Sequence, residues 1–318
     1  MKRWLACTVC ACALVLLPRP AQAFCRAMSC DPADAAQHCN TDTQTQCVLS
    51  GQPLYWSSSC VTFSVQKDGA PQAGISYSEA RDSVERALTA WTNADCGGQQ
   101  PSLRFALSDA VRCDLSEYNR DHKNANIVMF REGEWPYEGG EDALGLTRVR
   151  FDIDRHEGEL YDADIELNAV TEPLSVGKPQ ANEVDLDSLI THELGHALGL
   201  GHSTDLGATM LAGYVEGTTG LRSLGRDDVD GICSAYPPGR TAGSSSCEPR
   251  HGFSELCGAE QPAESTSSGD GAPASESKGC NIAAVGSDVA AAGGGFAPLA
   301  LGLVWLLGRV RGLKRAVR

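Results

Sequence analysis

The spacing of apolar residues changes along the central part of the chain, from the two-residue repeat of strands to the longer repeat of helices. Residues 61–65 alternate, with Val61, Phe63 and Val65 on one face, as in a strand. Residues 103–107 repeat this alternation. Three further predicted strands follow at residues 126–130, 145–151 and 160–167.

Three stretches have helical spacing instead. The three predicted helices are residues 78–93, 185–198 and 226–236. In the first, four apolar side chains recur at helical intervals between Val84 and Trp91, and Ser78 is the predicted N-cap. The order of these elements, one strand, a helix, four strands and two helices, predicts a single mixed α+β domain over residues 54–238.

Residues 1–23 have the composition of a secretory signal. Lys2 and Arg3 provide a basic start, an apolar stretch follows, and Ala23 ends a small-x-small cleavage motif. We therefore expect export, with cleavage after Ala23. The alternative is a buried N-terminal helix, which would have to accommodate three cysteines and two prolines.

Export would place the cysteines in an oxidising compartment. Ten of the fourteen lie from Cys25 to Cys257, an even number that predicts five disulfides of open connectivity. Four of them fall in residues 24–53 and define a small Cys-rich extension. Zinc sites built from cysteines are the alternative, but this part of the chain contains no C-x-x-C pair.

The C-terminal part of the chain combines a predicted linker with an apolar segment. Residues 239–279 are rich in Ser, Gly, Pro, Ala and Glu, which predicts a flexible spacer. Cys280 follows, then twenty uncharged residues at 289–308, then a basic cluster. In this order, residues 280–318 resemble the C-terminal sorting signals of myxobacterial surface proteins, which implies cleavage near Cys280 and attachment at the cell surface or outer membrane. A permanent transmembrane anchor is the alternative.

The chain is acidic as a whole. It has 26 basic and 41 acidic residues, a net charge of −15, although both of its ends are basic. An acidic body repels phosphate backbones, which excludes nucleic-acid partners. Acidic residues are densest at Asp152, Asp154, Glu157, Asp162, Asp164 and Glu166. This cluster predicts either a Ca²⁺ site or a solvated acidic edge, and no fixed loop spacing decides between the two.

The sequence HELGHALGLGH contains a metal-binding motif. His192 and His196 are one helical turn apart, so both imidazoles project from one face of the predicted helix. Gly199 lets the chain turn out of the helix and brings His202 back as a third ligand. Three imidazoles leave one position of a tetrahedral Zn²⁺ open, as in catalytic sites. Glu193 lies about 100° round the helix, where it can reach a bound water. Incidental histidines on a helix are the alternative.

The extended motif and Met210 resemble the metzincin zinc proteases, in which a methionine turn forms an apolar floor under three histidines. Ser203 and residues 224–232 make the chain similar to the matrixins, the matrix-metalloproteinase group of metzincins. The resemblance covers residues 55–236. It implies a twisted, mixed five-stranded sheet with about three helices, and a zinc cleft between the active-site helix and the C-terminal subdomain.

The sequence departs from the matrixin pattern at two places, which changes what we expect of the zinc cap and of the substrate pocket. The propeptide motif P-R-C-G has no counterpart, and Cys25, the nearest candidate to cap the zinc, is expected to form a disulfide instead. The Met-Tyr-Pro after the methionine turn is also absent, so the substrate pocket is expected to differ. Tyr214, which follows that turn, is interpreted as a packing residue rather than an oxyanion donor.

These residues predict a zinc endopeptidase, secreted or surface-attached, that acts on proteins or peptides with one catalytic Zn²⁺. His192, His196 and His202 are the predicted ligands, and Glu193 is the predicted general base. Substrates are expected to bind extended along the edge strand above the cleft. Two rival functions stay open: a non-catalytic surface module with structural zinc, which has no use for Glu193, and a zinc aminopeptidase. The natural substrate and the oligomeric state are not readable from the sequence.

Overall fold

A computed structural model describes residues 23–32, 36–137, 143–155, 157–257, 280–281 and 305–309, the last two ranges by their backbone alone. The strands are β1 (Cys60–Val65), β2 (Arg104–Leu107), β3 (Ile127–Arg131), β4 (Ala143–Phe151), β5 (Leu160–Asn168), β6 (Leu174–Ser175), β7 (Val184–Asp185), β8 (Gly213–Tyr214), β9 (Cys280–Asn281) and β10 (Trp305–Arg309). The helices are α1 (Tyr77–Thr92), α2 (Leu186–Ala197) and α3 (Arg226–Ala235), with a 3₁₀ turn at Gly220–Arg222.

The first five strands form the mixed sheet that the sequence predicts, in the order β2–β1–β3–β5–β4. Neighbouring strands are parallel except for β4, which runs antiparallel to β5. Beyond β4, the short strand β10 pairs antiparallel with residues 143–147 and parallel with β8. Helices α1 and α2 pack against each other and against the sheet, so the main core lies between them and one face of the sheet.

The N-cap of helix α1 lies two residues before the predicted one, so the prediction of Ser78 as its N-cap is wrong. Ser76 is the N-cap, and its hydroxyl accepts a hydrogen bond from the backbone N–H of Glu79. The Glu79 carboxylate in turn accepts from the Ser76 backbone N–H at 2.9 Å. This reciprocal capping box needs an acidic residue three positions after the cap. Ser76 has one at Glu79, whereas Ser78 is followed at that distance by Arg81.

Strand β5 has one apolar and one acidic face, and both are buried. The apolar face joins the main core through Ala163, Ile165 and Leu167. The acidic face carries Asp162, Asp164 and Glu166, each fully buried. Their charges are compensated by three arginines of β3 and β4, which form ion pairs Arg150–Asp162, Arg150–Asp164, Arg131–Glu166 and Arg148–Glu166. The alternative of a solvated acidic edge is therefore wrong for these three carboxylates.

The ten cysteines from Cys25 to Cys257 form five disulfides, as predicted. The pairs are Cys25–Cys47, Cys30–Cys39, Cys60–Cys247, Cys96–Cys233 and Cys113–Cys257. Two of these bonds tie residues 240–257 to β1 and to the segment between β2 and β3. Cys257 is buried in a second apolar cluster with Ile127 and Met129. This part of the predicted linker therefore packs on the domain, unlike a flexible spacer.

The remaining predicted terminal segments lie mostly outside the described residues. These are the signal peptide up to residue 22, the linker from residue 258 to 279, and the C-terminal segment apart from β9 and β10. None of the helices in the described ranges has the length and apolar character needed to span a bilayer.

Candidate active site

Helix α2 carries the motif and is held in the core of the domain. Its N-cap Asp185 accepts a hydrogen bond from the backbone N–H of Ser188 at 2.9 Å. Every side chain of the helix is buried. A packing contact explains why Gly195 sits between the two motif histidines, because a Cβ there would lie 2.1 Å from Met210 Sδ and 2.8 Å from Trp91 Cζ2. The absence of a side chain thus lets the methionine and the tryptophan approach the helix.

The three predicted ligands converge on one point. The metal-binding nitrogens of His192, His196 and His202 all lie within 4.8 Å of one another, and the Nε2 atoms of His192 and His196 are 3.1 Å apart. His192 Nδ1 lies 2.7 Å from the carbonyl of Thr209, and His196 Nδ1 lies 2.9 Å from that of Leu200. A carbonyl only accepts hydrogen bonds, so both Nδ1 atoms carry the proton and both Nε2 atoms are unprotonated, as a metal ligand requires. This donor set fits Zn²⁺.

Burial favours the neutral imidazoles that a metal requires. Desolvation lowers the pKa of His192 to about 4, although its hydrogen bond to Thr209 acts in the opposite direction. Burial and the neighbouring imidazoles also lower the pKa of His196 and His202 well below the usual range. A neutral imidazole can coordinate a metal and a protonated one cannot.

Gly199 makes the turn that brings His202 to the other two ligands. It has a φ of +81°, which is the left-handed conformation predicted from the motif. A Cβ at this position would lie 2.4 Å from the carbonyl oxygen of Leu54. Both the backbone angle and this close approach require glycine.

Glu193 is fully buried beside the histidines. Its Oε2 accepts a 2.6 Å hydrogen bond from Thr147 Oγ1 on β4. Its Oε1 has no hydrogen-bond partner among the described residues. A Cβ at Gly145 would lie 2.8 Å from this oxygen, so β4 leaves room for it. Burial raises the pKa of Glu193 to about 8, and the Thr147 hydrogen bond offsets part of that rise.

Met210 lies beneath the active-site helix, where the resemblance places a methionine turn. It is buried and contacts the α2 backbone at Gly195. Asp228 of α3 accepts hydrogen bonds from the backbone N–H groups of Thr209 and Met210, at 2.6 and 3.0 Å. Helix α3 thus fixes the same turn whose Thr209 carbonyl orients His192.

Several contacts of the site are not predicted by the sequence. Thr147 and Gly145 were assigned only to a strand, and Asp228 only to a helix start. The sequence does contain a signal for Thr147 and Gly145, which alternate along β4. Both lie on the face that packs on α2, where a polar residue and a glycine are unusual among apolar neighbours.

Two interpretations of residues near the site are confirmed. Cys25 is bonded to Cys47 and is therefore not a zinc cap. Tyr214 is buried, with its hydroxyl donating to the Thr218 carbonyl at 2.6 Å and accepting from the Asp185 N–H at 2.9 Å. A phenol with both partners inside the protein serves packing rather than oxyanion binding.

The predicted calcium site gains no support from these contacts. Within the described ranges, the His192, His196 and His202 triad is the single group of three or more His, Cys, Asp or Glu side chains close enough to share an ion. The buried half of the acidic cluster is paired with arginine instead.

Comparison with known proteins gives a consistent assignment. The family model described as Matrixin matches residues 55–237. The chain is 30% identical over 193 residues to matrix metalloproteinase-16 of Homo sapiens, covering 60% of this chain and 28% of that protein. It is 26% identical over 203 residues to interstitial collagenase of Oryctolagus cuniculus, covering 63% and 36%. Metalloendoproteinase 1 of Glycine max is 29% identical over 164 residues, covering 49% and 45%. The chain thus spans less than half the length of these relatives.

Proposed function

We propose, since the chain belongs to the matrixin family, that it is a zinc-dependent endopeptidase with Glu193 as its general base. His192, His196 and His202 are its zinc ligands, and Met210 forms the floor beneath them. One observation carries the proposal: the metal-binding nitrogens of three imidazoles converge within 4.8 Å beside a buried carboxylate oxygen that has no hydrogen-bond partner among the described residues.

The roles of the protein groups follow from their positions. When bound, zinc supplies a Lewis acid that polarises the scissile carbonyl and lowers the pKa of a coordinated water. Glu193 Oε1 accepts the proton of the attacking water and then returns it to the nitrogen of the leaving amine. Thr147 holds Oε2, so that the carboxylate stays in one orientation through both transfers.

The edge of β4 is the proposed substrate-binding strand. Strand β10 of the same chain already lies along this edge, with Trp305 opposite Thr147 and Leu306 opposite Leu146 in antiparallel register. The backbone groups of this edge can therefore pair with an extended chain next to the residue that contacts Glu193, and a substrate would bind there in place of β10. A substrate bound by β-augmentation would place its scissile bond beside the histidines.

Export and surface attachment are part of the proposal. Five disulfides are typical of proteins in oxidising compartments, which supports export. Residues 1–23 would direct export, and residues 280–318 would be removed near Cys280 on the way to the surface. Mass spectrometry of the surface fraction tests this: peptides from residues 309–318 found there would favour a permanent anchor instead.

A peptide that is fluorescent only after internal cleavage, and blocked at both ends, tests the endopeptidase activity. We expect cleavage, its loss with phenanthroline, and its recovery when zinc is added. Cleavage restricted to peptides with a free amino terminus would favour the aminopeptidase function. Stoichiometric zinc with no cleavage of either peptide would favour the non-catalytic module, although buried Glu193 argues against it.

A further inference from the structure

The carboxyl end of the active-site helix is capped by distant segments. The last carbonyls of a helix have no partners within it and need donors from elsewhere. Trp56 Nε1 donates to the Ala197 carbonyl at 2.8 Å, and the Tyr236 hydroxyl donates to the Leu198 carbonyl at 2.8 Å. The third carbonyl, that of Gly199, receives its donors from the Cys-rich N-terminal extension.

Residues 25–27, here called the strap, pair with the turn that follows α2. The Ala27 N–H donates to the Gly199 carbonyl at 2.9 Å, and the Gly201 N–H donates to the Cys25 carbonyl at 2.9 Å. Arg26 lies opposite Leu200 in this short antiparallel bridge. The strap therefore holds both ends of the turn by backbone hydrogen bonds.

The same turn orients two of the three histidines. The Leu200 carbonyl is the partner of His196 Nδ1, at 2.9 Å. His202 follows Leu200 by two residues, so the path of the turn determines where its imidazole lies. Partners of this kind, which fix the ring of a metal ligand, commonly change metal affinity when removed.

Arg26 adds a side-chain clamp to the strap. Its Nε donates to the Gly199 carbonyl at 3.2 Å, and its Nη2 donates to the Leu54 carbonyl. The Leu54 N–H donates back to the Ala27 carbonyl at 2.8 Å. The guanidinium thus ties the turn to the start of the catalytic domain, at the point where Gly199 approaches Leu54. A cation at this position also complements the negative end of the α2 dipole.

One of the two disulfides of the extension fixes the strap. Cys25, the first strap residue, is bonded to Cys47. The other disulfide, Cys30–Cys39, closes a loop of the same extension and includes no strap residue. The two disulfides therefore form a matched pair, because one includes a strap residue and the other does not.

We propose that the strap, held by the Cys25–Cys47 disulfide, positions His196 and His202 for zinc binding, with Arg26 as the positioning residue. This inference rests on the proposed function, because it assumes that the histidines bind zinc. Reduction of the Cys25–Cys47 bond should accordingly weaken zinc binding.

Zinc affinity, measured by competition with a chromophoric chelator, tests the role of Arg26. We expect Arg26→Met to weaken zinc binding by about 10-fold, and Arg26→Lys to lie between it and the unaltered protein, because lysine retains the positive charge but has a single donor nitrogen. Arg81→Met, which removes a partly exposed arginine of α1, is the control and should leave the affinity unchanged. Urea unfolding of the zinc-free proteins separates positioning from a general loss of stability.

The paired disulfide variants test the strap without touching Arg26. Cys25→Ser with Cys47→Ser should weaken zinc binding as Arg26→Met does, and Cys30→Ser with Cys39→Ser should not. Unchanged zinc affinity in both Arg26→Met and the Cys25/Cys47 variant would overturn the proposal, whatever their unfolding free energies. An equal loss of zinc affinity in the two disulfide variants would also overturn the proposal. If the unaltered protein binds no zinc, the proposed function itself fails.

Discussion

Thr147 donates a 2.6 Å hydrogen bond to Glu193, from Oγ1 to Oε2, and so connects the edge strand of the sheet to the active-site helix. The bond is buried and fixes the carboxylate in one orientation. Because Oε2 is occupied, Oε1 is the oxygen left to act on a water. The position of the proposed base therefore depends on a strand 46 residues away in sequence.

Replacing Thr147 should impair the chemical step. We expect Thr147→Val to lower kcat by about 10-fold to 100-fold, because a misplaced catalytic group loses much of its effect. KM should change little, and Thr147→Ser should restore most of the activity because it retains the hydroxyl. Steady-state kinetics on a quenched peptide measures both constants. A change confined to KM, or an equally inactive Ser variant, would show that Thr147 does not act through Glu193.

Gly195 should tolerate no side chain. A Cβ there would overlap Met210 and Trp91, so Gly195→Ala should lower the free energy of unfolding by about 1–3 kcal/mol, as overpacking of a core does. Gly133→Ala is the control, since a Cβ at that exposed position meets nothing within 4 Å. Urea unfolding compares the two variants. Equal stability of both would mean that Met210 does not pack against α2 as described.

The buried acidic pair on β5 should make stability depend on pH. Burial raises the pKa of Asp164 to about 6, with Arg150 and Ser116 acting in the opposite direction. Burial and the charge of Asp164 also raise the pKa of Asp162. An unfolded aspartate titrates near pH 4. Between about pH 4 and pH 6 the native state therefore binds more protons than the unfolded state, and this contribution to stability is lost as the pH rises.

Asp164→Asn should reduce that dependence, because it removes one of the two carboxyls with a raised pKa. The unaltered protein should lose stability relative to this variant as the pH rises from about 4 to about 6. Urea unfolding of both proteins at several pH values measures the difference, with Asp121→Asn as an exposed control. A difference that stays constant over this range would rule out the raised pKa of Asp164.

The convergence of the three proposed zinc ligands could be predicted because it is local. His192 and His196 are fixed by the pitch of one helix, and His202 follows by a short turn at Gly199. The first five strands and the three helices were also predicted, since their periodicity is a local property. The register between strands is not local, so neither Thr147 beside Glu193 nor Arg150 beside Asp162 could be assigned from spacing alone.

The errors have a common physical cause. Residues 240–257 have the composition of a flexible segment, but the Cys60–Cys247 and Cys113–Cys257 bonds hold them on the domain. Part of the acidic cluster suggested a solvated edge because the arginines that compensate it lie on neighbouring strands. In each case a long-range partner overrides what the local composition favours.

Glu193→Gln tests the central claim most directly, because it removes the base and keeps the size of the side chain. Zinc content and cleavage of the doubly blocked peptide are measured on the same preparation, with His202→Ala alongside. We expect Glu193→Gln to retain one zinc and lose cleavage, and His202→Ala to lose both. Cleavage by Glu193→Gln within about 10-fold of the unaltered protein would contradict the account, since removal of a general base costs more than that.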